Sequence, residues 1–126
     1  MVPKIRNVDQ MSIQEIGEEL KKTSKLCREL KIDKREFFGG SMTISSLGGI
    51  GGTFFTPIIN PPEVAILGVG KSFDRLVKIK NKIISRKILP ISLSYDHRII
   101  DGAEGARFCV YLGKCLGKDF AFKLAV

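Results

Sequence analysis

The sequence predicts an α+β fold in which a mixed sheet is covered by helices on one face. Three features carry this. A capped amphipathic helix pattern starts at Ser12, a short apolar run spans residues 64–70 between turn signals, and a second capped helix starts at Asp101 straight after a strand-like segment. At 126 residues the chain is read as one domain, long enough to bury a core.

Taken in order, Met1 to Val8 alternates and is expected to form a strand running into a turn. Ser12 with Glu15 three residues later is a capping box, in which each side chain satisfies the other's orphan amide. Ile13, Ile16, Leu20, Cys27 and Leu30 then form an apolar stripe, with Lys21, Lys22, Lys25, Arg28 and Glu29 on the other faces. This predicts a helix of about five turns ending near Lys31 and covering a sheet. Gly39-Gly40 breaks the chain, and residues 41–46 read as a short strand. The Gly-rich stretch from Leu47 to Thr53 is a loop. It lacks the lysine of a phosphate-binding loop and no helix follows it, so its glycines are read as allowing positive φ or a close approach by another backbone or a ligand.

Asn60-Pro61-Pro62 makes a rigid elbow before the buried strand at Val64 to Gly70. Arg75 to Lys80 is expected to pair with Lys87 to Leu93, with Asn81-Lys82 in the connection. The second of these strands runs on through Ser94, and Pro90 suits an edge or bulge within it. Asp101-Gly102-Ala103-Glu104 is an Asp-headed counterpart of the capping box. The helix it opens runs to about Gly117, with Ala103, Ala106, Val110 and Gly113 on one stripe, widened by Phe108, Cys109, Leu112 and Leu116. Its small residues suggest close packing against a sheet, and the apolar tail from Asp119 to Val126 is expected to dock.

Composition narrows the function. No apolar run reaches the roughly 18 residues that cross a membrane, and the first residues carry neither a signal-peptide core nor a transit sequence. Cys27, Cys109 and Cys115 have no metal-ligand spacing, and reduced thiols in a cytosol-like compartment are the simplest reading; no metal site is expected. The net charge is +8, with Lys71, Arg75, Lys78, Lys80, Lys82, Arg86 and Lys87 close together. Phe73 is the only aromatic among them and no nucleic-acid motif accompanies them, so a solvated basic hairpin is favoured over a nucleic-acid surface.

The chemistry concentrates in Ser94-Tyr95-Asp96-His97-Arg98-Ile99-Ile100-Asp101-Gly102. His97 is the single histidine of the chain, placed between a strand end and a helix start. An imidazole titrates near neutrality and can take and return protons at working pH. A lone histidine is otherwise a surface residue or a satisfied core residue, and its setting favours a reactive group on a rigid corner.

This segment resembles the histidine signature of the dihydrolipoyl acyltransferases, the core components of the 2-oxo acid dehydrogenase complexes; a looser form occurs in chloramphenicol acetyltransferases. Residues 43–49 resemble the family's serine-bearing strand and loop, residues 59–70 another family segment, and residues 102–108 the bacterial pyruvate-type version. The resemblance spans nearly the whole chain but corresponds to the C-terminal half of the catalytic domain; the first half, the lipoyl domain and the peripheral-subunit-binding domain are expected to be absent. Isolated, such a portion is expected to show little turnover and to associate or aggregate.

The resemblance implies part of a chloramphenicol-acetyltransferase-like fold and transfer of an acyl group, acetyl by the pyruvate-type likeness, between dihydrolipoamide and coenzyme A. It implies His97 as the base that takes the coenzyme A thiol proton and Ser45 as the oxyanion donor. Asp101 is implied as a support of the active-site corner, besides its reading as a helix cap. Arg98 is read as structural, paired to a carboxylate. Coenzyme A contacts are not assigned, beyond a weak attraction of its phosphates to the basic patch. The lipoamide is expected on a domain outside this chain. Homotrimers with His and Ser from neighbouring subunits, building a larger core with other complex subunits, are also implied, in the bacterial cytoplasm or the mitochondrion of a eukaryote, without nucleic acid or membrane. A scaffold subunit and another coenzyme A-dependent acyltransferase are the alternatives.

Overall fold

A computed structural model describes residues 2–117 and Phe120. Its chain forms two compact units, Met1–Gly40 with Lys114–Val126, and Ser41–Gly113. The first contains α1 (Ile13–Arg28) and two single 3₁₀ turns, Val8–Gln10 and Lys34–Phe37. The second contains β1 (Thr43–Ser46), β2 (Ala65–Val69), β3 (Phe73–Ile79), β4 (Lys82–Ile88) and β5 (Ile91–Tyr95), and α2 (Gly102–Cys115) runs out of it. The architecture is α+β, as the sequence predicts.

The expected N-terminal strand is absent from residues 2–8. That segment is fixed instead by the Lys4 amide donating to the Glu36 carbonyl (2.7 Å) and by Arg6, whose Nη2 donates to the carbonyls of Arg35 and Phe38. The capping box forms as read: the Glu15 amide donates to Ser12 Oγ (3.2 Å) and the Ser12 amide to Glu15 Oε2 (2.7 Å). The Ser12 amide, and after it the Ser12 hydroxyl, which donates to the same oxygen at 2.8 Å, hold the Glu15 carboxyl below its ordinary range. The helix stops earlier than Lys31, because Leu30 turns left-handed at φ 56°. The Lys31 amide then reaches the Leu26 carbonyl and the Leu30 amide that of Cys27, which is a Schellman closure. Leu30 therefore leaves the apolar stripe and is 83% exposed.

In the second unit β2 is the centre of a three-stranded mixed sheet, parallel to β1 and antiparallel to β5. It carries the core: Ala65, Ile66 and Leu67 are the buried hydrophobic residues among those described. The Gly-rich loop closes on itself, with the Ile50 and Gly51 amides on the Leu47 carbonyl. Within the loop Gly51 and Gly52 take positive φ (142° and 89°), as the sequence suggests, and the close backbone approach falls instead at Gly70, where a Cβ would run into the carbonyl oxygen of Thr53. The Pro61-Pro62 bond is cis.

The hairpin register differs from expectation. β3 pairs with β4 over residues 73–79 and 82–88, joined by Lys80-Asn81. Both turn residues have positive φ (43° and 61°), the geometry of a type I′ hairpin turn. The single second strand expected here divides in two, because Pro90 ends the first part and donates nothing; its carbonyl accepts the Gly70 amide, and β5 then crosses to β2. The hairpin is basic and solvated as read, with Asp74 and Lys87 opposed and paired at 3.7 Å.

α2 presents a different face than the sequence suggests. Gly105 is its buried residue among those described, while Ala103, Ala106 and Val110 are exposed. Gly105, Cys109 and Leu112 make the inward line. The physical reason is Tyr95, whose ring takes the space a side chain at 105 would occupy. The expected docking of the tail lies outside the described residues except for Phe120. The cysteines are free and half-buried, and no helix among the described residues is long and apolar enough to cross a membrane.

Candidate active site

The His97 corner is built by backbone bonds on both sides. The Asp96 amide donates to the Val64 carbonyl (2.8 Å), pinning the end of β5 to the entry of β2. The Asp96 carbonyl accepts the amides of Ile99 and Ile100, both at 3.0 Å, which winds residues 96–100 into a tight turn with His97 exposed on it. The Asp96 carboxylate accepts the Arg98 amide (3.0 Å) and Arg98 Nε (2.9 Å to Oδ1), with Nη2 on Oδ2. The Arg98 guanidinium, followed by the Arg98 amide, holds the Asp96 carboxyl down at about 2. The same bonds raise Arg98 further above its ordinary value. Arg98 is thus paired to a carboxylate, as the sequence suggests, and both charges next to His97 are committed to each other.

Asp101 caps α2. Its Oδ1 accepts the Glu104 amide at 2.7 Å, and its carbonyl accepts the Gly105 amide at 3.1 Å. Opening the helix there brings its first turn beside the corner: His97 Nε2 and Tyr95 Oη each lie 4.0 Å from where a Cβ on Gly102 would stand. The Tyr95 ring sits 5.8 Å from the imidazole, tilted by 35°. The sequence alone does not mark Tyr95 or Asp96 as a site residue. Asp96 has a readable signal in its spacing to Arg98; the contact of Tyr95 depends on a helix glycine ten residues away.

Ser45 lies on β1, opposite Gly68, which is itself opposite Ser92 of β5. The neighbouring Thr43 donates its hydroxyl to the buried carboxylate of Glu63, anchoring β1 to the approach of β2. Three residues along β5 and two strand spacings across the sheet place the Ser45 Cα roughly 14 Å from that of Tyr95. The odd offset puts Ser45 and Tyr95 on opposite faces of the sheet. The structure therefore sets His97 beside the helix start that Asp101 caps, and Ser45 on the sheet face opposite to Tyr95. The corner offers an exposed imidazole on a rigid turn, able to exchange a proton with a group brought to it.

Residues 1–121 match the family model described as "2-oxoacid dehydrogenases acyltransferase (catalytic domain)". The chain is 50% identical over 120 residues to the dihydrolipoyllysine-residue acetyltransferase component of the pyruvate dehydrogenase complex of Cupriavidus necator, covering 95% of this chain and 22% of the relative. The corresponding protein of Haemophilus influenzae is 53% identical over 116 residues, 92% of this chain and 20% of the relative. The chain thus spans about a fifth of the length of these curated relatives. Among solved structures, Azotobacter vinelandii dihydrolipoamide acetyltransferase superposes with a TM-score of 0.88 at 49% identity, over 94% of this chain and 49% of that one. That structure belongs to an investigation of the role of a serine, a histidine and an asparagine in the enzyme's catalytic mechanism. The cubic core of the pyruvate dehydrogenase multienzyme complex gives the same TM-score, 0.88, at 48% identity, with the same coverage of 94% and 49%. With a capped helix behind a histidine turn and a match along nearly all of its length, the chain belongs to the 2-oxoacid dehydrogenase acyltransferase family, within the catalytic domain.

Proposed function

We propose that this chain transfers an acetyl group between dihydrolipoamide and coenzyme A, as part of the core of a pyruvate dehydrogenase complex. One observation carries the reading. The serine and histidine studied in the Azotobacter enzyme are separated by the same interval as Ser45 and His97, and its asparagine follows the histidine as Asp101 follows His97. The site departs from that set by carrying an acid in place of the amide.

In this reading His97 takes the proton of the coenzyme A thiol, which at pKa ~8.5 is only a few per cent thiolate at neutral pH. The thiolate attacks the acetyl-dihydrolipoamide carbonyl, and the Ser45 hydroxyl donates to the oxyanion that forms. Collapse expels the dihydrolipoamide thiolate, to which His97 returns the proton. Asp101 holds the helix start that backs the corner. The positive field of the β3–β4 hairpin draws in the phosphates of coenzyme A, and the lipoyl group arrives on a domain outside these residues. The working site takes His97 from one copy and Ser45 from a neighbour, in a homotrimer of a larger core; the position of Ser45 on the sheet face opposite to Tyr95, which leads into the His97 turn, supports this. The exposed apolar side chains of Ile44, Ile50, Phe54 and Ile58 support burial in such an assembly. The bacterial relatives support a cytoplasmic setting.

The test is acetyl transfer by the full-length protein. His97→Ala should cut turnover by at least ~100-fold with the fold intact. Ser45→Ala should lower kcat by ~100-fold and leave the KM for coenzyme A nearly unchanged. Near-normal turnover of His97→Ala removes His97 from the mechanism.

A further inference from the structure

We propose that Tyr95 is a positioning residue for His97, held in place by the absence of a side chain at Gly105. The inference rests on the reading of His97 as the base. Tyr95 is the last residue of β5, paired with Ala65 of β2, so its backbone is fixed by the sheet. Its ring is clamped from the other side by α2. A Cβ on Gly105 would stand 2.7 Å from Cε1, closer than packed methyl groups come, and 3.0 Å from Cζ and 3.1 Å from Oη, so the ring would have to shift. The ring can occupy this place only because residue 105 is glycine. Gly105 is also the buried residue of a helix whose other small residues are exposed.

The consequence falls on His97. Its imidazole stands on an exposed turn, where a side chain samples several rotamers. The Tyr95 ring, 5.8 Å away between centroids, closes one side of it. The first turn of α2 lies beside both rings, since Tyr95 Oη and His97 Nε2 are equally distant from the Cβ position of Gly102. Sheet, tyrosine and helix start therefore form one packed unit behind the imidazole, and a base must be held in place to be effective. The Asp96–Arg98 pair fixes the turn's backbone; Tyr95 limits where the ring can go.

His97 is the single histidine of these residues; in the full-length protein its imidazole C–H signals are identified as those lost in His97→Ala. Gly105→Ala should displace the tyrosine ring, shift those signals through the lost ring current, and lower kcat in the full-length protein by about 10- to 100-fold with little change in KM. Tyr95→Leu should do the same in both measurements, which keeps the test open where Gly105→Ala does not fold. Tyr95→Phe should retain both the signals and the rate. Adding Gly105→Ala to Tyr95→Leu should cost little more, because the ring that the methyl group displaces is already gone. Gly113→Ala, on the same helix where a Cβ meets nothing within 4 Å, should leave both readouts unchanged. Unshifted imidazole signals together with wild-type kcat in Tyr95→Leu would overturn the proposal. Failure of the base reading is separate: it appears as normal turnover in His97→Ala, while the NMR comparison still reports whether the Tyr95 ring lies against the imidazole.

Discussion

Replacing Asp101 separates its two roles, because asparagine and alanine remove different things. The Asp101 carboxylate oxygen caps α2 through the Glu104 amide at 2.7 Å. Alanine deletes the acceptor, which costs ~1 kcal/mol at a typical N-cap, whereas asparagine caps as well as aspartate does. A loss of ~1 kcal/mol changes the folded-to-unfolded ratio about fivefold, small beside the 5–15 kcal/mol of an ordinary domain. Asp101→Ala should therefore remain folded at 25 °C, with a urea midpoint lowered in proportion, and Asp101→Asn should match the parent. Activity should follow the cap. The first turn of α2 backs His97 and Tyr95, so fraying it in Asp101→Ala should lower turnover well beyond the fraction unfolded. Asp101→Asn should keep most of its turnover, as expected for a family in which the Azotobacter enzyme carries asparagine at the matching interval. Urea melts and acetyl-transfer assays on the three proteins decide it. If Asp101→Asn is as slow as Asp101→Ala while remaining as stable as the parent, the negative charge and not the capping oxygen is what the corner needs.

Two further predictions concern local physics. Leu30→Gly should raise stability by about 1 kcal/mol, since leucine pays to turn left-handed at φ 56° and, at 83% exposed, has little burial to lose; a lower urea midpoint would contradict this. The Asp96 carboxyl, followed by ¹³C NMR, should titrate at about 2, against an ordinary 3.8. Its folded value is depressed, so the pairing with Arg98 stabilises the corner fully above the ordinary value and is lost as the pH falls toward 2. Arg98→Ala should return the titration toward the ordinary range, and an unmoved titration would show that the guanidinium is not its cause.

The parts of the fold that were legible in the sequence are those written in local chemistry. Ser12 with Glu15, and Asp101 with Glu104, announce helix starts because capping links residues three apart. The run from Val64 to Gly70 announces a buried strand because it is apolar on both faces. The His97 corner was legible because the turn lies between a strand and a cap. What was missed depends on partners distant in sequence or on unusual residues in a familiar geometry. Lys80-Asn81 forms a tight turn without the glycine that marks one, so the hairpin register was displaced. Arg6 ties residues 2–8 to the carbonyls of Arg35 and Phe38, and nothing near Arg6 forecasts this. The inward face of α2 is chosen by Tyr95, which takes Gly105 and leaves the alanine stripe in solvent.

The claim that His97 and Ser45 act together across a subunit boundary can be tested by mixing two inactive proteins. Co-expressed full-length His97→Ala and Ser45→Ala subunits each keep the residue the other lacks. Random assembly into trimers gives a site with both residues intact in about one case in four, so the mixture should recover about a quarter of the parent's acetyl transfer. Each variant alone should remain inactive. A co-expressed assembly, verified by mass to contain both subunits, that shows no recovery would place the two residues in one chain's site and contradict the account.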